Sequence, residues 1–211
     1  MFHKTARIVM TAVLAAGAAT AAAAPAAAAP TASKAKCHIG LWRTTGLKAN
    51  IKGKTPQGFI QNVTYQGMAG IKLKVAPKRL TYDFTGSKRE TFRGMGPEGK
   101  PVEGWEQLKG VLYLPAKVTS DKKGLKGQIT TLNKKASGPA TGTGMNTKPE
   151  KASWGYWKVA DHAKIGHFDT PVVKQPKFTC NPKKKTLHIR DIRKWDTFTE
   201  TVDIYLKLVR R

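Results

Sequence analysis

Acidic residues are scarce in this chain. Its 211 residues include 13 Asp or Glu against 38 Lys or Arg, a formal charge of +25. So unbalanced a surface excludes an electrostatically indifferent protein and favours polyanionic partners, although it says nothing by itself about fold. Cysteine is nearly absent, with only Cys37 and Cys180, which excludes a disulfide-dense miniature scaffold. Helical periodicity is rare. No Gly-flanked Ser elbow, reactive Cys–His pair, phosphate loop or H-E-x-x-H run occurs, so no strong motif for nucleophilic, nucleotide or zinc-protease chemistry is present. Aromatics are not lacking: 5 Trp, 5 Tyr and 7 Phe argue against a disordered basic tail.

The strongest apolar run, Ile8 to Ala19, is shorter than the ~20 residues a membrane helix needs. It follows Lys4 and Arg7 and leads to Ala26-Ala27-Ala28, the charged, apolar and small-residue order of a secretory signal. Residues 1–28 are therefore expected to be a signal peptide, 29–36 a flexible N-terminal segment, and 37–211 a single domain. No twin arginine precedes the apolar run. No lipobox follows it either, because Cys37 lies too far downstream. A secreted, extracellular protein with no membrane span after processing is expected. Cleavage removes Lys4 and Arg7 and no acid, so the charge falls only from +25 to +23. In an oxidising compartment, Cys37 and Cys180 most simply form one disulfide; the alternatives are free thiols or an intermolecular bridge.

The rest of the chain alternates with period two. Leu47, Ala49 and Ile51 alternate with Lys48, Asn50 and Lys52. Ile71, Leu73 and Val75 form one arm of a hairpin, and Leu80, Tyr82 and Phe84 form the other, joined by Ala76-Pro77-Lys78-Arg79. Further strands are expected at 110–114, 127–132, 154–159, 176–180, 185–190 and 202–208. The Gly-, Thr-, Pro- and Lys-rich stretch from Lys134 to Lys151 reads as a mobile loop. Many short strands, each with one apolar face, predict an all-β fold: an antiparallel up-and-down barrel, or alternatively a β-sandwich.

Gly40-Leu41-Trp42 near the mature start, with Arg210 after the last strand, resembles the G-x-W and terminal basic residue of lipocalins and their calycin relatives. The order of segments is also similar to that of secreted lipocalin-like proteins of actinobacteria. The resemblance implies an up-and-down barrel in which Arg210 packs across Trp42 and closes one end. Trp42 lies out of phase with Leu47, Ala49 and Ile51, so this barrel requires a bulge near Thr44-Thr45-Gly46. The resemblance also implies a small apolar or amphipathic ligand inside the barrel, against Leu73, Val75, Tyr82, Phe84, Ile204 and Leu206. Equally, these six residues suit a solid core.

No catalytic residue, cofactor or metal is expected. The segment Asp161-His162-Ala163-Lys164-Ile165-Gly166-His167-Phe168-Asp169 invites a metal or acid–base reading, but its spacing matches no strong motif, and an exposed loop is the expectation. Glu98, Glu103 and Glu106 offer no readable pairing for glycoside chemistry. Lysines and arginines outnumber acids along the expected outer faces. An anionic surface or polymer is the expected partner, met by Lys72, Lys74, Lys78, Arg79, Lys183, Lys184, Lys185, Arg193 and Lys194. The oligomeric state is not readable. The functional expectation is a secreted, non-enzymatic binding protein with a cationic exterior. The alternatives are a polyanion-binding or antimicrobial protein and, third, a basic nuclease using His162 and His167.

Overall fold

The computed structural model describes residues 35–211. The expected signal segment, and nearly all of the segment expected to be flexible, lie outside the described residues. Thirteen strands form: β1 (Gly40–Lys54), β2 (Ile60–Gly67), β3 (Lys72–Ala76), β4 (Arg79–Asp83), β5 (Glu90–Met95), β6 (Pro101–Lys109), β7 (Val111–Ser120), β8 (Lys126–Thr131), β9 (Thr141–Lys148), β10 (Ala152–Lys158), β11 (Lys177–Asn181), β12 (Thr186–Lys194) and β13 (Phe198–Arg210). One short helix, α1 (Val159–Lys164), follows β10.

Eight strands close a barrel in the order β1-β13-β12-β11-β8-β7-β4-β3, with β3 returning to pair with β1. Each member neighbours the next one along the chain, so the barrel is an antiparallel up-and-down meander. The sandwich alternative is set aside. The remaining strands form a wing, β2-β5-β6-β9-β10, attached to β1. β1 is long enough for two partners: residues 40–43 pair with β3, and residues 47–54 pair with β2. The wing is built from three excursions, after β1, β4 and β8. Strand direction alternates in a meander, so all three leave from the same end of the barrel. The β12–β13 turn lies at that end too.

Period-two patterning builds the core. Leu73, Val75, Leu80, Tyr82, Phe84, Ile189, Ile204 and Leu206 are buried in one cluster with Trp42 and Leu47. The bulge required by Trp42 is present: the β1–β13 register shifts between Thr44 and Gly46. It brings Trp42, Thr44, Leu47 and Ala49 to the inner face. A second shift changes the expected closure. Leu41 pairs with Arg210 and Trp42 with Leu208, leaving Val209 as the extra residue. One extra residue turns every later side chain to the other face, so Arg210 is exposed. It is not among the arginines lying over aromatic rings in the described residues. Trp42 instead donates its indole N–H to the His38 carbonyl at 2.9 Å. Gly40 approaches β13 closely: a Cβ there would stand 2.9 Å from the Arg210 carbonyl.

The Cys37–Cys180 disulfide forms. It pins the N-terminal segment at the barrel end opposite the wing attachment, where His38 packs against Phe178 with ring centroids 4.6 Å apart. No helix among the described residues is long and apolar enough to cross a membrane.

The stretch expected to be a mobile loop, 134–151, instead contains β9. Its glycines are the reason. Trp157 lies on Gly142 and Trp154 on Gly144, so closely that a Cβ would come within 2.1 Å and 2.6 Å of the rings. Bare glycine backbone is a platform for large rings, and the rings supply the apolar surface that the strand lacks.

Candidate functional site

The inner face of the barrel continues onto the wing, and strand registers define what it carries. One row across the sheet reads Ile204, Leu47, Gly67, Glu90, Glu106, Gly144. The next reads Val202, Ala49, Tyr65, Phe92, Gly104, and a third reads Arg193, Glu200, Ile51, Val63. Acids thus occupy positions that in the barrel are filled by Leu and Ile.

Five of the 13 acids are buried: Glu90, Glu106, Asp169, Asp191 and Glu200. Arg193 is buried among them. It donates from Nε to Asp191 at 3.2 Å and from Nη1 to Glu200 at 3.0 Å and to the Phe168 carbonyl at 2.8 Å; Nη2 donates to the Val172 carbonyl. Asp191 also accepts from the backbone N–H groups of Lys174 and Gln175. This knot fastens the segment 168–175 across the wing-side end of the barrel, and it removes Arg193 from any anion-binding surface. Lys74, Lys78, Arg79, Lys183, Lys184, Lys185 and Lys194 are exposed as expected, and Lys72 is half-buried beside Asp83 at 3.4 Å.

The other acids have no such balance. Glu90 stands directly across the β5–β6 ladder from Glu106, an unfavourable like-charge pairing. Both Glu90 oxygens are buried without a hydrogen-bond partner, although the nearby Thr170 hydroxyl pulls its pKa down somewhat. Burial, and then the Glu106 charge, raise the Glu90 pKa well above the usual carboxylate range. Burial, and then Asp169, push Glu106 up to about 8. Burial raises Glu200 as well, against the pull of Arg193. Asp169 accepts from the Trp157 indole at 3.0 Å and lies 3.2 Å from His162 Nδ1, both at Oδ1; its buried Oδ2 has no partner.

Glu106, Asp169 and Glu200 reach a cleft of about 300 Å³. Its walls include Ile51, Tyr65, Trp154, Phe168, Trp195 and Phe198. Trp154 stacks on Phe92 at 5.3 Å, and Trp195 stacks on Phe198 at 4.6 Å. A larger depression of about 620 Å³ lies elsewhere, lined by Thr179, His188, Tyr205 and other residues of β11–β13, and contains none of the buried acids. The smaller cleft is the chemically distinctive one, because buried carboxylates converge there among aromatic walls.

His167 lines this cleft, and His162 lies beside it against Asp169. The helix ends in a Schellman turn: Gly166, at φ +85°, donates to Ala163, and His167 N–H donates to His162 C=O at 3.0 Å. The turn folds His167 back against His162, with ring centroids 5.0 Å apart. Hydrogen bonding to Asp169 raises the His162 pKa, whereas partial burial lowers that of His167. The pair sits against carboxylates, which would repel a phosphodiester, and no lysine lines the cleft. His188 is elsewhere, on the outer barrel face, stacked on Tyr205 and 2.7 Å from Asp203. Glu98 and Glu103 also point away, to Lys100 and Lys148.

The barrel-interior positions are core. Leu73, Val75, Tyr82, Phe84, Ile204 and Leu206 are each at most 2% exposed, and none of them lines the acid-bearing cleft. Glu200, Tyr65 and Trp154 of the cleft, and Glu90 and Trp157 beside it, carried no functional expectation, whereas Trp195 carried only that of an aromatic near basic residues on which a base could stack. Parity held a usable signal for two of the cleft acids. Glu200 shares the inward phase of Val202, Ile204 and Leu206, and Glu106 that of Leu108.

The chain matches no protein-family model, no curated protein and no solved structure.

Proposed function

We propose that this is a secreted, non-enzymatic binding protein whose ligand is a small amphipathic organic cation held in the wing cleft. The observation that carries this is the convergence of Glu106, Asp169 and Glu200 on an aromatic-walled cleft of a protein otherwise poor in acid, where Arg193 is shared between Glu200 and Asp191 and Asp169 has only His162 beside it. An ammonium head adds positive charge where acids outnumber cations, and aromatic faces attract it further when water is excluded. The apolar part of the ligand rests on Ile51 and Phe198. Positive charges beyond about 8 Å are largely screened at physiological ionic strength, so the cationic exterior does not forbid a cation inside. The disulfide suits an oxidising compartment.

The test is titration of the cleft tryptophans by fluorescence with benzyltrimethylammonium and with its neutral carbon isostere. The cation should bind at least tenfold more tightly, and Glu200→Gln should erase the difference. Equal affinity for the two compounds refutes the reading.

A second reading, attachment to an anionic polymer, is favoured by how charge is sorted. Five acids are buried and most lysines are exposed, so the exterior is more cationic than the composition alone implies. The two readings involve different surfaces and can both hold.

A further inference from the structure

We propose that His162, His167 and Asp169 form a binding site for a divalent transition metal of the zinc class. One ligand atom from each lies within 4.8 Å of the other two. Two imidazoles and a carboxylate are the donor set that zinc accepts, with a further position left for water or a ligand. In a tetrahedral site, donor atoms stand about 3.3 Å apart, so the side chains must close in by roughly an ångström. His167, half-exposed on its turn, has room to do so.

The arrangement around Asp169 points independently to a ligand. Its side chain is 4% exposed. Oδ1 is occupied by the Trp157 indole and His162, while Oδ2 is buried with no partner. A carboxylate oriented through one oxygen with the other left open is the arrangement that a metal ligand requires, and the indole acts as the outer hydrogen bond that orients it. The His162 ring is likewise held, lying parallel to Trp157 at 5.6 Å with an 8° interplanar angle. The Schellman turn at Gly166 fixes the approach of His167 to His162. A cation here also offsets the charge that Asp169 exerts on Glu106.

The site shares Asp169 and His167 with the cleft but does not rest on the organic-cation reading. The experiment is calorimetric titration of the purified secreted chain with Zn²⁺, together with the visible spectrum of the Co²⁺ form. One metal per chain is expected, with the intense absorption of four-coordinate cobalt. His167→Ala and Asp169→Asn should each lower affinity at least tenfold. His167 is the safer position, since it is half-exposed and its loss leaves the fold intact. His188→Ala, on the outer barrel face, should change nothing, and Glu200→Gln should weaken ammonium binding while leaving zinc stoichiometry at one. Absence of binding, a weak octahedral cobalt spectrum, or equal losses in His167→Ala and His188→Ala each overturn the proposal. Loss of zinc in Glu200→Gln with retention in His167→Ala overturns it too, by moving the metal to the cleft carboxylates.

Discussion

Glu106→Gln should make this protein more stable in mild alkali and flatten its dependence on pH. Glu106 faces Glu90 across the ladder, and its pKa is pushed from an ordinary 4.5 to about 8. Between those values the folded carboxyl keeps a proton that the unfolded chain has released. Stability from this group is therefore full below the unfolded pKa and is lost as pH rises through the folded one. The slope is about 1.4 kcal/mol per pH unit, and the whole window amounts to about 5 kcal/mol. That is comparable to the total stability of many domains. Glu90 and Glu200, whose pKa values are also raised, add loss of the same sign, as does His162, whose raised pKa keeps it protonated longer when folded. His167 and His38 oppose, both held below their ordinary 6.5 chiefly by burial. The amide of Gln keeps the shape and removes the titration. Urea unfolding from about pH 5 to about pH 8, with a chelator present and the disulfide oxidised, measures both proteins. The wild type should fall steadily, and the variant should overtake it by several kcal/mol at the alkaline end. Wild-type stability that is flat or rises over this window, or a variant curve parallel to it, refutes the reasoning.

Arg193→Leu leaves Asp191 and Glu200 buried without their cation and frees the carbonyls of Phe168 and Val172; a loss of about 3–5 kcal/mol is expected, with faster amide exchange in residues 168–175. Replacing Cys37 and Cys180 together by Ser opens a 143-residue separation and should cost about 2–5 kcal/mol in thermal or urea unfolding. Gly142→Val drives a side chain into the Trp157 ring, 2.1 Å from where even a Cβ would stand; a loss of about 1–3 kcal/mol and a changed tryptophan emission should follow. Lys183, Lys184 and Lys185 are exposed together in one turn, so replacing all three by Ala should lower the salt dependence of DNA binding by about 2–3 in log–log slope; an unchanged slope clears that turn of any phosphate contact.

The barrel was legible because its strands obey a strict alternation. Leu73, Val75, Tyr82 and Phe84 sit on the face their phase predicts, and even the bulge at Thr45 follows from the phase slip between Trp42 and Leu47. The wing was not legible, because β5, β6 and β9 are strands without an apolar code. Of their buried inner positions, Glu90, Glu106, Gly104, Gly142 and Gly144 are acid or glycine and only Phe92 and Leu108 are apolar. Glycine and glutamate read as loop, and only the rings of Phe92, Trp154 and Trp157, arriving from neighbouring strands, turn those glycines into a packed face. The site was half legible. The Asp161–Asp169 segment drew notice for its histidines, but Glu200 and Glu90 come from strands far away in sequence. Arg210 shows the limit of parity in a ladder: the single extra residue Val209 reverses it.

The buried acids also separate the two functional readings by their thermodynamics. A pair such as Glu90 and Glu106, replaced by apolar residues, would leave the ligand-free fold more stable, so the empty protein carries an electrostatic penalty that a bound cation relieves. An organic cation at 100 times its dissociation constant should stabilise the fold by about 2.7 kcal/mol. The gain should grow as pH rises through about 8, where Glu106 gives up its proton. A polyanion on the exposed lysines touches none of these groups. It should stabilise the protein without altering the pH slope, and its effect should vanish at high salt. Thermal unfolding at two pH values, with benzyltrimethylammonium or heparin added, therefore distinguishes them. A pH-dependent gain from the ammonium compound locates binding among the carboxylates. A gain of equal size at both pH values places the ligand elsewhere and removes the cleft from consideration.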